Sequence, residues 1–354
     1  MIKRLFNRND NIAILIAGIF SIIIGLGVAR FAFTGLIPAM LDDYLTIKFV
    51  GILASLNFAG YLSGSIFSIF VKDINFKVYL YRFGIFLAIT TTFILAYSDN
   101  NTLWMIGRVL AGFAGAMCLI VGTSIVMQKL TIKSKTKAMG IHFSGIGFSI
   151  LTTDLLARFV LSLNYSWRDS WAVLAVFAII LSLYSVYILS FDKEVKQNAV
   201  KVKFDISIFT PFVIVLIIAY FTEGVGFVVQ ATFLPDIINN LKGLEGYGSL
   251  TWTLVGVAGI PSCIIWMLLA HRFGSSNIII IALLLQAVGI LIPAFSSNIY
   301  LNLLSGVLYG GTFIGLVALF MNLGGQLSRG KPVVLMGAMT SSYGMGQVIA
   351  PLYL

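Results

Sequence analysis

Five charged residues stand within long apolar stretches of the sequence. They are Arg30, Arg108, Asp154, Arg158 and Glu223. An ionised side chain at the centre of a bilayer costs about 3 kcal/mol or more, so such residues face a protein interior or a solute pathway. These five are therefore the first candidates for function.

Their chemistry favours the transport of a solute together with a proton. Arg30 and Arg108 are predicted to bind an anionic or hydrogen-bonding substrate, and Glu223 or Asp154 to take up and release a proton. A structural role is the alternative, because Asp154 and Arg158 have i,i+4 spacing and share a helix face. Arg30, Arg108 and Asp154 are also predicted at similar depths. Glu223 has no basic residue on its own predicted helix, which favours the proton role.

Amide side chains form a second group of candidates. Asn57 and Gln230 are predicted to contact substrate, and Gln286 has the same chemistry. Buried amides also bond neighbouring helices, so both interpretations stay open.

The sequence lacks the patterns of an enzyme or a metal site. The histidines, His142 and His271, do not form an H-E-x-x-H motif, and Cys118 and Cys263 do not form a C-x-x-C motif. We therefore expect no enzyme activity, no metal and no cofactor.

The elements that must position these residues are membrane-spanning helices. The chain has 354 residues, of which 59% are hydrophobic and 10% charged, and its mean hydropathy is +1.00. Apolar runs of about 20 residues can cross a hydrocarbon core of about 30 Å as helices. They predict an all-α polytopic membrane protein with eleven helices, at 12–40, 49–71, 78–98, 102–127, 138–163, 170–191, 207–235, 247–270, 276–296, 299–322 and 332 to the end.

The net charge of +10 follows the predicted topology. Most Lys and Arg residues fall at the N-terminus and in alternate loops, whereas the other loops contain only Lys48, Arg168 and Lys242. This bias predicts a cytoplasmic N-terminus. The basic loops are expected to contact anionic lipid headgroups, not nucleic acid.

The chain also contains an internal repeat. GVARFAFTGLIP at 27–38 aligns with GVGFVVQATFLP at 224–235, and MGIHFSGIG at 139–147 aligns with MGAMTSSYG at 336–344, both at an offset of 197. The repeat predicts an N-terminal six-helix half at 1–191, a cytoplasmic linker at 192–206 and a C-terminal half at 207–354. It also predicts that the chain is truncated in helix eleven and lacks a twelfth helix. Two such halves imply alternating access to a solute site between them.

Four segments carry a resemblance to a known family. GLGVARFAFTGLIPAM, LASLNFAGYLSGS, GRVLAGFAGA and WRDSW together resemble the YbfB/YjiJ-type branch of the major facilitator superfamily, over nearly the whole chain. GRVLAGFAGA is similar to the helix-four motif of the superfamily, with its arginine at Arg108 and packing glycines at Gly112 and Gly115. The usual charged motif between helices two and three survives only as Asp73 and Lys77. The resemblance implies a multi-pass transporter of the bacterial inner membrane, which we expect to be a monomer.

The predicted function is secondary active transport of a small solute, coupled to protons. Its expected partners are a small-molecule substrate, protons and membrane lipid. The alternatives are an efflux pump for amphipathic compounds and a non-transporting membrane scaffold. The 28 Phe and 14 Tyr residues suit an amphipathic solute, but lipid-facing Phe is normal in any helix bundle.

Overall fold

The fold is a bundle of long helices. The computed structural model describes residues 6–131, 135–190, 209–327 and 332–353, so the predicted linker at 192–206 lies outside the described residues. Within these ranges the helices are α1 Asn11–Leu41, α2 Ile47–Phe70, α3 Ile74–Tyr97, α4 Asn101–Lys129, α5 Lys135–Ser162, α6 Trp167–Ile188, α7 Pro211–Asn239, α8 Gly248–Phe273, α9 Ser275–Phe295, α10 Ile299–Leu327 and α11 Pro332–Ile349. In the described part of the chain, α1 to α10 are long and apolar enough to cross a membrane. The all-α polytopic prediction is confirmed.

Polar residues in the turns determine where several helices begin. The side chain of Asn100 accepts hydrogen bonds from the first turn of α4, and Thr210 caps α7 just before Pro211. The long uncharged run after Phe273 is divided at 296–298, as predicted, because Asn298 Oδ1 accepts from the backbone N–H groups of the first turn of α10.

The two halves repeat the same helix packing. In the N-terminal half α2 packs on α4, and in the C-terminal half α8 packs on α10. Glycines bring both pairs into close contact. A Cβ on Gly112 would lie 1.9 Å from the carbonyl oxygen of Asn57, and one on Gly310 would lie 2.2 Å from that of Val255. The motif glycine on α4 therefore has a packing role.

The halves meet mainly where α1 packs on α7, α2 on α11 and α5 on α8. Thr34 Oγ1 donates to the carbonyl oxygen of Ala231 at 2.5 Å, and Ser55 Oγ donates to that of Val348 at 2.8 Å. Gly147 of α5 abuts the backbone of α8, since its Cβ would lie 2.3 Å from a backbone nitrogen there. Side chains between the halves are thus enclosed by protein.

Candidate functional site

Arg30 lies in a π-helical segment of α1. Residues Ile23–Phe31 form π turns, whereas the sequence predicted a regular helix. Hydropathy does not distinguish the two, and π turns are frequent at functional sites. A small residue lets this segment approach α4, because a Cβ on Gly25 would lie 2.3 Å from the Cβ of Cys118.

Aromatic rings from both halves enclose the Arg30 guanidinium. Its Cζ lies 4.3 Å from the ring centre of Phe58, 5.3 Å from that of Tyr61, 5.4 Å from that of Phe31 and 5.5 Å from that of Phe227. We call these four rings the aromatic cage. Each lies within the roughly 6 Å at which a ring face attracts a cation. The cage therefore joins Arg30 of the N-terminal half to Phe227 of the C-terminal half.

Two donors of Arg30 have no acceptor. Its Nε and Nη2 are shielded from solvent and make no hydrogen bond. Arg158 pairs with Asp154 and Arg168 pairs with Asp99, and neither ion pair includes Arg30. A desolvated cation–π contact contributes about 2 kcal/mol, whereas an uncompensated buried charge costs several kcal/mol. An anion bound to these two donors would offset that cost.

Glu223 lies on α7, inside the C-terminal half. Its side chain is buried, and Oε1 accepts one hydrogen bond from Gln286 Nε2 at 3.3 Å. Gln286 Oε1 in turn accepts from Thr312 Oγ1 at 3.3 Å. The second carboxyl oxygen, Oε2, is shielded from solvent and has no partner. The carboxyl group is therefore held at one oxygen and open to a proton at the other.

Two tyrosines, Tyr309 and Tyr343, lie near both Arg30 and Glu223, and we call them the tyrosine layer. Tyr309 and Tyr343 are each close enough to interact electrostatically with both of these charged groups. Tyr343 also stacks on Tyr220 with ring centres 4.5 Å apart. Arg30 and Glu223 are thus connected through two shared aromatic neighbours.

The side chains of Arg108 and Asn57 donate hydrogen bonds to backbone carbonyl oxygens. Arg108 Nη1 donates to the carbonyl oxygen of Ala29 at 3.0 Å, and its guanidinium lies 4.3 Å from the ring centre of Phe33. Asn57 Nδ2 donates to the carbonyl oxygen of Arg108 at 3.1 Å, while its Oδ1 has no partner. Arg108 thus connects α4 to α1 at Ala29, the residue before Arg30, and Asn57 connects α2 to α4.

Gln230 has a similar position in the C-terminal half. Its Nε2 donates to the carbonyl oxygen of Gly289 at 3.1 Å and to Ser305 Oγ at 3.4 Å, while its Oε1 is unpartnered. These contacts connect α7 to α9 and α10.

Asp154 belongs to a different cluster, near the face of the bundle where α1 ends, which we call the distal face. Asp154 Oδ2 lies 3.4 Å from Arg158 Nε, at the i,i+4 spacing noted in the sequence. Thr253 of α8 donates to the same Oδ2 at 2.5 Å and accepts from Arg158 Nη2 at 2.7 Å. The structure therefore places Asp154 in a bond between the halves and not with the caged Arg30.

Sequence reasoning missed the cage rings, the tyrosine layer and Thr253. One of them carried a signal, because the 197-residue offset of the repeat pairs Arg30 with Phe227. The others are ordinary aromatic or hydroxyl residues of apolar helices. Their role depends on which way each helix face turns.

Solved structures share this fold. The chain is similar to a mutant form of the nucleoside transporter NupG, with a TM-score of 0.72 and 12% identity over 98% of this chain and 90% of that one. It is also similar to a D-xylose-proton symporter, with a TM-score of 0.69 and 14% identity over 96% of this chain and 89% of that one.

Sequence comparisons identify the family. A protein TsgA homolog from Buchnera aphidicola subsp. Baizongia pistaciae (strain Bp) is 24% identical over 161 residues, which span 45% of this chain and 41% of that relative. Residues 22–354 match the family described as "Uncharacterised MFS-type transporter YbfB". The chain therefore belongs to this family of major facilitator superfamily transporters.

Proposed function

We propose that this transporter couples the movement of a small solute to that of protons, by alternating access to a site at Arg30. The observation that carries the proposal is the pair of buried, unpartnered donors of Arg30 at the contact between the halves. A site that opens to one face at a time must lie where the two halves meet. Arg30 also fits the sequence-based hypothesis of an anionic or hydrogen-bonding solute.

Glu223 is the proposed proton carrier. Its buried carboxyl accepts a single hydrogen bond and has a free oxygen, and a bound proton would remove the cost of a buried charge. Tyr309 and Tyr343 are the proposed link to the solute, since both rings pack against Phe227 of the aromatic cage, with ring centres 6.0 Å apart in each pair. An anion at Arg30 would therefore change the energy of charging Glu223, and a proton would change the affinity for the anion by the same factor.

The other candidate residues receive supporting roles. Arg108 and Asn57 were predicted to contact substrate, but their bonds to backbone carbonyls favour positioning α1 and α2 around the site. The same argument applies to Gln230. Asp154, paired with Arg158, is proposed to act at the contact between the halves, where a proton on it would weaken the ion pair.

We also propose an orientation and a division of the chain. The N-terminal half is assigned to 1–191, the linker to 192–206 and the C-terminal half to 207–354. The bias of Lys and Arg supports a cytoplasmic N-terminus in a bacterial inner membrane. The protein is expected to act as a monomer.

Counterflow in proteoliposomes tests the transport mechanism. A ligand-stabilisation screen first identifies a solute, because binding to the folded state raises the melting temperature. Vesicles preloaded with that solute should then take up the labelled form faster than empty vesicles, and an imposed proton gradient should drive accumulation. Equal uptake with and without preloading would indicate a pore, and no uptake of any stabilising solute would indicate a scaffold. Accumulation that ignores the proton gradient would refute proton coupling.

A further inference from the structure

We infer that the solute is a monocarboxylate with a flat apolar body, bound through Nε and Nη2 of Arg30 and held between rings of the aromatic cage. This inference rests on the proposed function, since it names the class of solute for the same site.

The geometry of the free donors favours a carboxylate. In a guanidinium group the N–H of Nε and one N–H of Nη2 point the same way in one plane, which matches the two oxygens of a carboxylate. Both atoms of Arg30 are buried and unpartnered. A phosphate or sulfonate group has further oxygens that need donors, and the groups packed around the Arg30 guanidinium are ring faces.

The charges around the site favour a single negative charge. Arg108, the neighbouring cation, uses Nη1 on the carbonyl oxygen of Ala29 and Nε on that of Leu53, at 3.0 and 3.4 Å. Arg30 is therefore the cation with free donors in the described part of the site. A dicarboxylate would leave its second charge buried and unpaired, which is unfavourable.

The walls of the cage favour an aromatic or similarly flat body. Phe58 and Phe227 belong to opposite halves, and their ring centres are 6.4 Å apart in an edge-to-face contact. When the halves separate, these two rings part and leave two apolar surfaces on either side of Arg30. A flat apolar group between them would restore ring contacts with both halves. The contact between these rings in the closed cage therefore indicates a solute whose body is flat and apolar.

Thermal unfolding of the purified full chain in detergent at neutral pH tests the inference. The probes are benzoate, its neutral isostere benzamide, acetate as a carboxylate without a ring, and benzene-1,4-dicarboxylate. Benzoate should bind roughly 10- to 100-fold more tightly than benzamide, which corresponds to one charge-assisted pair. Acetate and the dicarboxylate should bind more weakly than benzoate.

Three variants connect the binding to the site. Arg30→Lys should lose most of the benzoate effect, because a point charge replaces the two-pronged donor. Arg168→Lys is the matched control, since Arg168 pairs with Asp99 outside the site, and it should bind benzoate normally. Phe227→Leu should weaken benzoate binding and leave acetate binding unchanged, which keeps the test decisive if Arg30→Lys fails to fold.

The outcomes separate this inference from the proposed function. If benzamide binds as tightly as benzoate, the solute does not need a carboxylate and the inference is wrong. If acetate binds as tightly as benzoate, the solute does not need a flat apolar body and the inference is also wrong. If another class of solute binds and accumulates with protons, the inference is wrong and the proposed function stands. If benzoate binds at Arg30 but enters proteoliposomes no faster than protein-free vesicles, the solute class stands and the proposed function fails.

Discussion

Thr253→Val should shift the conformational equilibrium toward opening at the distal face. Valine keeps the branched shape of threonine but removes the hydroxyl that donates to Asp154 at 2.5 Å and accepts from Arg158 at 2.7 Å. These bonds join α5 to α8 across the halves. The Asp154–Arg158 pair lies within α5 and survives the substitution.

The size of the shift follows from the environment of the bonds. Hydrogen bonds to charged groups contribute about 1.5 to 3 kcal/mol, whereas side-chain bonds between membrane helices average about 0.6 kcal/mol with a maximum near 1.7. The side chain of Arg158 is 33% exposed, which weakens the contribution of its hydrogen bond with Thr253. We therefore expect a loss of about 1 kcal/mol, or about a fivefold increase in the ratio of open to closed molecules.

Double electron–electron resonance gives the distribution of distances between two spin labels, and this distribution reports the ratio of open to closed molecules. Labels at Leu163 and Tyr247 would stand at the distal ends of α5 and α8, where both side chains are exposed. Thr253→Ser keeps the hydroxyl and should match the wild type. Thr251→Val is the matched control, since Thr251 Oγ1 bonds the carbonyl oxygen of Tyr247 within the same helix. An unchanged distance distribution in Thr253→Val, or the same change in Thr251→Val, would refute the reasoning.

Three further predictions address the proton, the packing and the topology. Glu223→Gln should abolish proton-driven accumulation in proteoliposomes but preserve solute exchange, because the amide keeps the shape of a protonated carboxyl; wild-type accumulation would remove Glu223 from the proton pathway. Gly112→Ala should destabilise the protein by about 1 to 3 kcal/mol through overpacking and so lower its melting temperature, since the new Cβ would lie 1.9 Å from a carbonyl oxygen of α2. Gly311→Ala should leave the melting temperature unchanged, because its Cβ would have its nearest neighbour at 4.0 Å. A cysteine at Lys242 should react with an impermeant thiol reagent in intact cells and one at Arg272 should not, and the reverse pattern would invert the orientation.

The sequence determined the helices because membrane spans are set by local composition. A run of about 20 apolar residues has one stable solution in a bilayer, a helix that satisfies its own backbone. Turn chemistry is also local, and Asn298 marked the end of one helix and the start of the next. The repeat predicted two halves of the same packing, since the same spacing of glycines and prolines recurs in both.

The candidate charges could be found in the sequence, but of their partners only Arg158, four residues after Asp154, could be found there. Arg30 and Arg108 look alike there, as isolated charges in apolar helices, and nothing in the sequence connects Asp154 to Thr253. In the structure Arg30 faces rings, Arg108 faces backbone carbonyls and Asp154 faces Thr253 of the other half. Hydropathy carries no information on these directions.

The physical reason lies in the difference between burial and orientation. Transfer from water to hydrocarbon depends on what a residue is, so a sequence determines it. The partner of a buried charge depends on helix rotation and on how the two halves meet, and residues far apart in the chain decide both. Phe58 and Phe227 lie 6.4 Å apart around Arg30 only because α2 and α7 come together. The sequence thus determined which residues must be explained, and only the tertiary structure decided what each one contacts.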